Sequence, residues 1–136
     1  MLDFIKDSSH NVTSSSSWGN YSNSDTYKVY RGSLYSNSAW SAADTTNGSN
    51  VTKDTDILLT TGATERNKRN SSKNIYDVAG NCREWTTEAS FTDGRILRGG
   101  GYTGDGSESP ACNRLLNAPT DSYSSHSFRP LLYVAL

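Results

Sequence analysis

Apolar residues in this chain fall in short, separated runs, and the C-terminal half holds no helical apolar stripe longer than about 10 residues. Ile57 to Leu59 reads as a short strand closed by Thr-Thr-Gly. Arg95 to Tyr102 alternates like a strand and runs into three glycines, where backbone must bend or approach a neighbour closely. Phe128 to Leu136 is β-prone, and Pro130 near its start suits a strand beginning or an edge. Met1 to Lys6 can end a short helix through Leu2, Phe4 and Ile5. Residues 8 to 56 are rich in Ser, Asn, Thr, Asp and Gly, yet carry Trp18, Tyr21, Tyr27, Tyr30, Tyr35 and Trp40. Disordered chains are poor in aromatics, so this half is expected to be ordered surface loops pinned by aromatic anchors. Thr64 to Lys73 reads as a polar, basic loop. The pattern predicts a loop-rich α+β domain whose small, mainly antiparallel sheet is completed by its own C-terminus.

Composition narrows the classes. At 136 residues the chain makes one domain, 1–136, and 33% hydrophobic residues leave room for extensive loops. The net charge is −1, and Arg66 to Arg69 is the longest basic run, so nucleic acid is not an expected partner. No apolar run approaches the roughly 20 residues that span a bilayer, so membrane insertion is not expected either. The opening Met-Leu-Asp-Phe-Ile-Lys-Asp is unlike a signal peptide, so export would need another route or a further segment. Cys82 and Cys112 are too few for a disulfide framework and read as ordinary packed thiols. Asn-X-Ser/Thr occurs at Asn11, Asn20, Asn47, Asn50 and Asn70, as chance allows in a chain of this composition.

Three phrases stand in order: Asn-Ile-Tyr-Asp-Val-Ala-Gly-Asn-Cys-Arg-Glu-Trp, Arg-Ile-Leu-Arg-Gly-Gly-Gly-Tyr and Ser-Phe-Arg-Pro-Leu-Leu-Tyr-Val. Tyr76 to Trp85, Arg95 to Tyr102, Arg114 and Ser127 to Arg129 resemble the pattern of the formylglycine-generating enzyme family, a branch of the C-type lectin-like fold. Ser127 departs from it where Gly is usual, and Ser14 to Tyr21, with Ser-Trp-Gly-Asn-Tyr, agrees more weakly. The resemblance implies a C-type lectin-like domain in compact form.

It does not carry the catalytic thiols. The family's chemistry uses a copper-binding pair of cysteines after the Gly-Gly-aromatic phrase. Those positions fall near Gly104 and Gly106 here, with Cys112 standing alone, so no enzymatic activity is expected. The resemblance also implies a calcium site from the side chains of Asp77 and Glu84 and the carbonyls of Gly80 and Cys82, hard oxygen donors that suit Ca²⁺. The competing reading has Asp77 capping a turn and Glu84 pairing with an arginine such as Arg98 or Arg129. By the same resemblance Arg98, Arg114 and Arg129 hold the scaffold and Trp85 belongs to the core.

Binding is the expected use of such a scaffold; the alternatives are an oxidase or modifying enzyme of the same family and a structural decoration of a phage tail or surface filament. Residues 103 to 127 are rich in Ser, Gly, Asn and Asp and are flanked by Tyr102 and Tyr123, the mixture that recognition loops favour. The segment is similar to the diversified segment of variable proteins from diversity-generating retroelements. Adenine-directed mutagenesis of an Asn codon there cannot yield Lys, Glu, Gln, Met or Trp. Across 103 to 127 only Glu108 breaks that restriction, against about two such residues expected from the chain's average, which permits diversification without demonstrating it. The expected ligand-binding face is Tyr102, Thr103, Asp105, Ser107, Asn113, Leu115, Leu116, Asn117, Asp121 and Tyr123, turned to a protein or surface ligand from a cell surface or virion. Leu115 and Leu116 are odd in a plain polar loop and serve either packing or contact.

Overall fold

The computed structural model describes residues 9–52, 54–64, 71–72, 75–90 and 93–129. The possible helix at Met1 to Lys6, most of the basic loop at Thr64 to Lys73, and the run beyond Arg129 lie outside the described residues.

Among the described residues eleven strands follow in order: β1 (Tyr27–Val29), β2 (Ser33–Ser36), β3 (Ala39–Ala42), β4 (Ser49–Val51), β5 (Leu58–Leu59), β6 (Ser71–Ser72), β7 (Ile75–Tyr76), β8 (Arg83–Ser90), β9 (Gly94–Arg98), β10 (Arg114–Asn117) and β11 (His126–Phe128). The domain is β-rich, and no α-helix occurs among the described residues. That corrects the α+β expectation. The described chain has no sustained helical stripe, and its many Ser, Asn, Thr and Gly residues hydrogen-bond in turns instead.

The largest sheet has the order β10-β9-β8-β11. β10 and β9 pair antiparallel, as do β9 and β8, whereas β11 runs parallel to β8. Among the described residues β11 is the edge strand beside β8; it begins two residues before the strand expected from Phe128, whose run to Leu136 lies mostly outside the described residues. β8 carries an irregularity between Trp85 and Ala89, where three residues face the single Ile96 of β9. Thr86 closes the bulge by donating its hydroxyl to the Ile96 carbonyl at 2.8 Å. Bulges re-aim side chains, and this one brings Glu88 to both Arg98 and Arg114, at 2.8 and 2.5 Å.

The N-terminal half builds smaller sheets, β3-β2-β5 and β1-β4, around Val29, Leu34, Ala43, Val51, Ile57, Leu59 and Ala63. A second core gathers Val12, Trp18, Tyr21, Val78, Ala79 and Ala111. Trp18 and Tyr21 are thus the aromatic anchors expected of the polar half, while Trp40 is exposed.

A buried amide pair joins the halves. Asn20 donates to the Ile57 carbonyl at 2.8 Å and to Asn81 Oδ1 at 3.1 Å. Asn81 accepts from the Leu59 N–H at 2.9 Å and donates to the Leu59 carbonyl at 3.0 Å. The Tyr27 hydroxyl reaches Asn20 Oδ1 at 3.1 Å. Between the two asparagines lies a parallel bridge, Asn20 with Gly80. Gly80 has φ +70°, and a β-carbon there would sit 2.1 Å from the Asn20 carbonyl oxygen. Only glycine fits that approach.

Candidate ligand-binding site

The sites follow from how β9 is bracketed. At its start, Asp93-Gly94 makes the turn out of β8, a dipeptide suited to hairpin connections. At the end of β10, Ala118-Pro119-Thr120-Asp121 closes a turn in which the Asp121 N–H donates to the Ala118 carbonyl at 3.0 Å. Proline favours the second position of such a turn, and Asp121 Oδ2 accepts the Ala118 N–H at 3.3 Å. The two turns frame an open pocket of about 400 Å³ lined by Ser90, Asp93, Gly94, Leu116, Asn117, Ala118 and Asp121. Leu116 lies across Gly94, where a β-carbon would be 2.3 Å from its Cδ1. The pocket has an aliphatic wall, an amide and two carboxylates.

Leu116, Asn117 and Asp121 are thereby brought together, with Leu115 beside them on β10. Leu115 and Leu116 are 38% and 44% exposed, so they serve surface rather than core. The pocket residues Ser90, Asp93, Gly94 and Ala118 were outside the expected face; Asp-Gly and Ala-Pro-Thr-Asp were their signals in the chain.

The rest of the expected face lies elsewhere. β9 rises about 13 Å between its ends, and Tyr102, Thr103, Asp105 and Ser107 follow its far end. The Gly104 carbonyl accepts from Ser22 N–H at 3.0 Å, and that of Gly106 accepts from Ser15 N–H at 2.8 Å. This stretch is therefore stitched to the N-terminal segment, and it is not one free loop with residues 114–127. Thr103 and Ser107 are exposed. Asp105 instead organises its own turn, accepting from the Ser107 N–H at 2.6 Å and the Glu108 N–H at 3.3 Å. The Ser107 hydroxyl and these amides hold its carboxyl below the usual range. Asn113 is half-buried, its amide and carbonyl joined to Pro110 and Gly99. Tyr123, 59% exposed, packs edge-on against His126 at 4.8 Å.

Two expectations are corrected. Tyr102 is 6% exposed: after the third glycine its N–H pairs with the Asn81 carbonyl at 2.9 Å, and its hydroxyl meets Ser124 at 3.2 Å, which draws the ring inward. Trp85 is only half-buried: its ring meets that of His126 edge-on at 5.6 Å, and Phe128, its partner in register on β11, is 74% exposed.

The residues implied for calcium gather around a second pocket, about 430 Å³, which Asp77, Cys82 and Glu84 line with Leu58, Leu59 and Arg129. Gly80 is tied to Asn20 instead. Asp77 Oδ2 accepts the Gly62 N–H at 3.2 Å. Glu84 has both oxygens on the Arg129 guanidinium, Nε at 3.0 Å and Nη2 in close contact, and Arg129 also donates to the Tyr76 carbonyl at 2.9 Å. A carboxylate neutralised by a bidentate fork is a poor calcium ligand. Among the described residues no group of three His, Cys, Asp or Glu side chains is placed to hold a metal. As built, the Glu84 carboxylate is engaged by Arg129 rather than turned to an ion. Arg129 ties the last phrase to the first, whereas Arg98 and Arg114 pair with Glu88. Burial, with the nearby Asp77 and Glu84 charges, pushes the Cys82 thiol up to about 11.

No helix among the described residues is long and apolar enough to cross a membrane. Fold and site define a small β-rich domain that carries surface pockets at Leu116 and at Glu84. Comparisons with protein-family models, curated proteins and solved structures return no match. The resemblance to the formylglycine-generating enzyme family accordingly rests on the phrases quoted above.

Proposed function

We propose that the protein is a non-catalytic recognition protein of C-type lectin-like type, whose ligand is met by the surface around Leu115, Leu116, Asn117, Asp121 and Tyr123. The observation that carries this reading is the division of labour along the chain. Gly80, Asn81 and Arg129 of the family-like phrases take part in inward bonding, while Leu115, Leu116 and Tyr123 face water and belong to neither core. Exposed leucines beside a pocket and an exposed tyrosine are the groups that gain most from being covered by a partner. Variation of this surface by a retroelement, on a virion or at a cell surface, fits the exposure of these side chains and their place outside both cores.

Catalysis is not part of the proposal. Glycines stand at 104 and 106, where the family's thiol pair would be, and a thiol raised like that of Cys82 is a weak nucleophile at neutral pH.

The test is a displayed library randomised at Thr103, Ser107, Leu115, Leu116, Asn117, Asp121 and Tyr123, selected against unrelated proteins. The reading expects folded binders to several targets. Recovery of no binder, or only of unfolded, sticky variants, would count against it. Retroelement diversification has its own check: a near-copy of the codons for residues 95–136 beside a reverse transcriptase gene.

A further inference from the structure

The glycine run after β9 holds a feature that the binding surface above does not use. Arg83, at the start of β8, is half-buried, and among the described residues it meets no carboxylate. Its Nη2 reaches only the Ser109 hydroxyl, at a long 3.4 Å, and its buried Nε has no hydrogen-bond partner. The guanidinium lies over Gly101: a β-carbon there would be 3.3 Å from Nη1 and 3.8 Å from the Ser125 hydroxyl. His126, in register with Arg83 on β11, has a buried Nδ1 that is likewise without a partner.

Unsatisfied buried polar atoms are rare in folded proteins, because each costs its full desolvation. Here two such atoms, Arg83 Nε and His126 Nδ1, belong to residues in register across β8 and β11. Arg98, Arg114 and Arg129 of the same sheet region each meet a glutamate, whereas among the described residues Arg83 meets none. Arginine's planar fork matches the two oxygens of an oxyanion, and hydroxyl donors complete such sites.

We propose that Arg83, with Ser109, Ser125 and His126 beside Gly101, forms a binding site for one oxyanion group: a carboxylate, phosphate or sulfate. The site holds whether or not the Leu116 surface binds anything, because it uses none of the same residues. The bare backbone of the glycine run gives the guanidinium its place. Arg83 supplies the charge, and the serine hydroxyls supply neutral donors. Burial and the neighbouring Arg83 charge hold His126 below its ordinary value, so at neutral pH it enters as an uncharged imidazole.

The experiment uses the whole chain and three simple probes: inorganic phosphate, sulfate and acetate, each titrated against sodium chloride of matched ionic strength. Thermal unfolding is followed together with NMR of the Arg83 Nε–H. At ten times Kd a stabilising ligand should raise Tm by roughly 4 °C, saturably, and the Nε resonance should shift with the same midpoint. Arg83→Gln should abolish both effects, and Arg83→Lys should weaken binding about tenfold while keeping the fold, since an ammonium lacks the fork. The anion with the lowest midpoint assigns the oxyanion class. If Arg83→Gln does not fold, the wild-type Nε titration decides alone. Shifts no larger than in chloride for all three probes, or an equal Tm rise in Arg83→Gln, would overturn the proposal.

Discussion

Replacing Asn81 with alanine is the sharpest perturbation of the framework. The substitution removes the acceptor of the Leu59 N–H and the donor to the Leu59 carbonyl, together with one bond from Asn20. Asn20 keeps its bond to the Ile57 carbonyl, so the orphaned groups are the two backbone atoms of Leu59, a buried residue. A buried orphan costs about 1–3 kcal/mol, which gives about 2–6 kcal/mol for the pair. Asn81 also has φ +60°, where alanine adds about 1 kcal/mol and asparagine is tolerated. We expect a loss of about 4 kcal/mol, a large part of the roughly 5–15 kcal/mol that holds such a domain. In urea, with a slope near 2 kcal/mol/M, the midpoint should fall by about 2 M at unchanged slope. Asn81→Gly separates the contributions: it deletes the same side chain without the left-handed penalty and should be about 1 kcal/mol less damaging. A midpoint shift under about 0.5 M for Asn81→Ala would refute the reasoning. So would equal additive losses in an Asn20→Ala, Asn81→Ala double-mutant cycle, because residues in one hydrogen-bond network should couple.

Other consequences follow from single contacts. Gly80→Ala places a β-carbon 2.1 Å from the Asn20 carbonyl oxygen at φ +70°, so the cost should exceed about 3 kcal/mol, seen as loss of the cooperative transition by circular dichroism. Arg129→Gln leaves the mostly buried Glu84 carboxylate without its fork and should cost about 2 kcal/mol, less than for a fully buried pair because both groups keep some water; the denaturation midpoint reads it. The Cys82 thiol, at about 11 against an ordinary 9.0, should alkylate with iodoacetamide at pH 8 about a hundredfold more slowly than an unperturbed thiol. Its raised value also ties stability to pH: the contribution is complete below pH 9.0 and is lost as pH rises from there through about 11, so Cys82→Ala should flatten the alkaline limb of the stability curve.

How far the chain foretells its own structure differs by element. The strand at Arg95 to Arg98, its end in glycines and the short strand at Leu58–Leu59 were legible, because alternation and punctuation are local signals. The Glu84–Arg129 pair was legible as one of two alternatives. The parallel sense of β11 was not, since register between distant strands leaves no local trace. Nor was the role of Asn81: an asparagine after a glycine reads as a turn, and only the fold brings Leu59 and Asn20 to it. Tyr102 was misplaced for a related reason. Loop composition favours an exposed tyrosine, but its backbone bond to Asn81 turns the ring inward. The expected face was drawn along the sequence, whereas the sheet sets Asp105 and Asp121 at opposite ends of β9, so half of that face belongs to other contacts.

The central claim is that the framework does not depend on the outward side chains of the C-terminal segment. It is tested most directly by thermal unfolding of one variant in which Thr103, Ser107, Leu115, Asn117 and Tyr123 are all replaced by serine or alanine. With five surface substitutions each worth within about 0.5 kcal/mol, the account predicts a cooperative transition with Tm lowered by no more than about 8 °C. A variant that unfolds below room temperature, or melts without cooperativity, would contradict it.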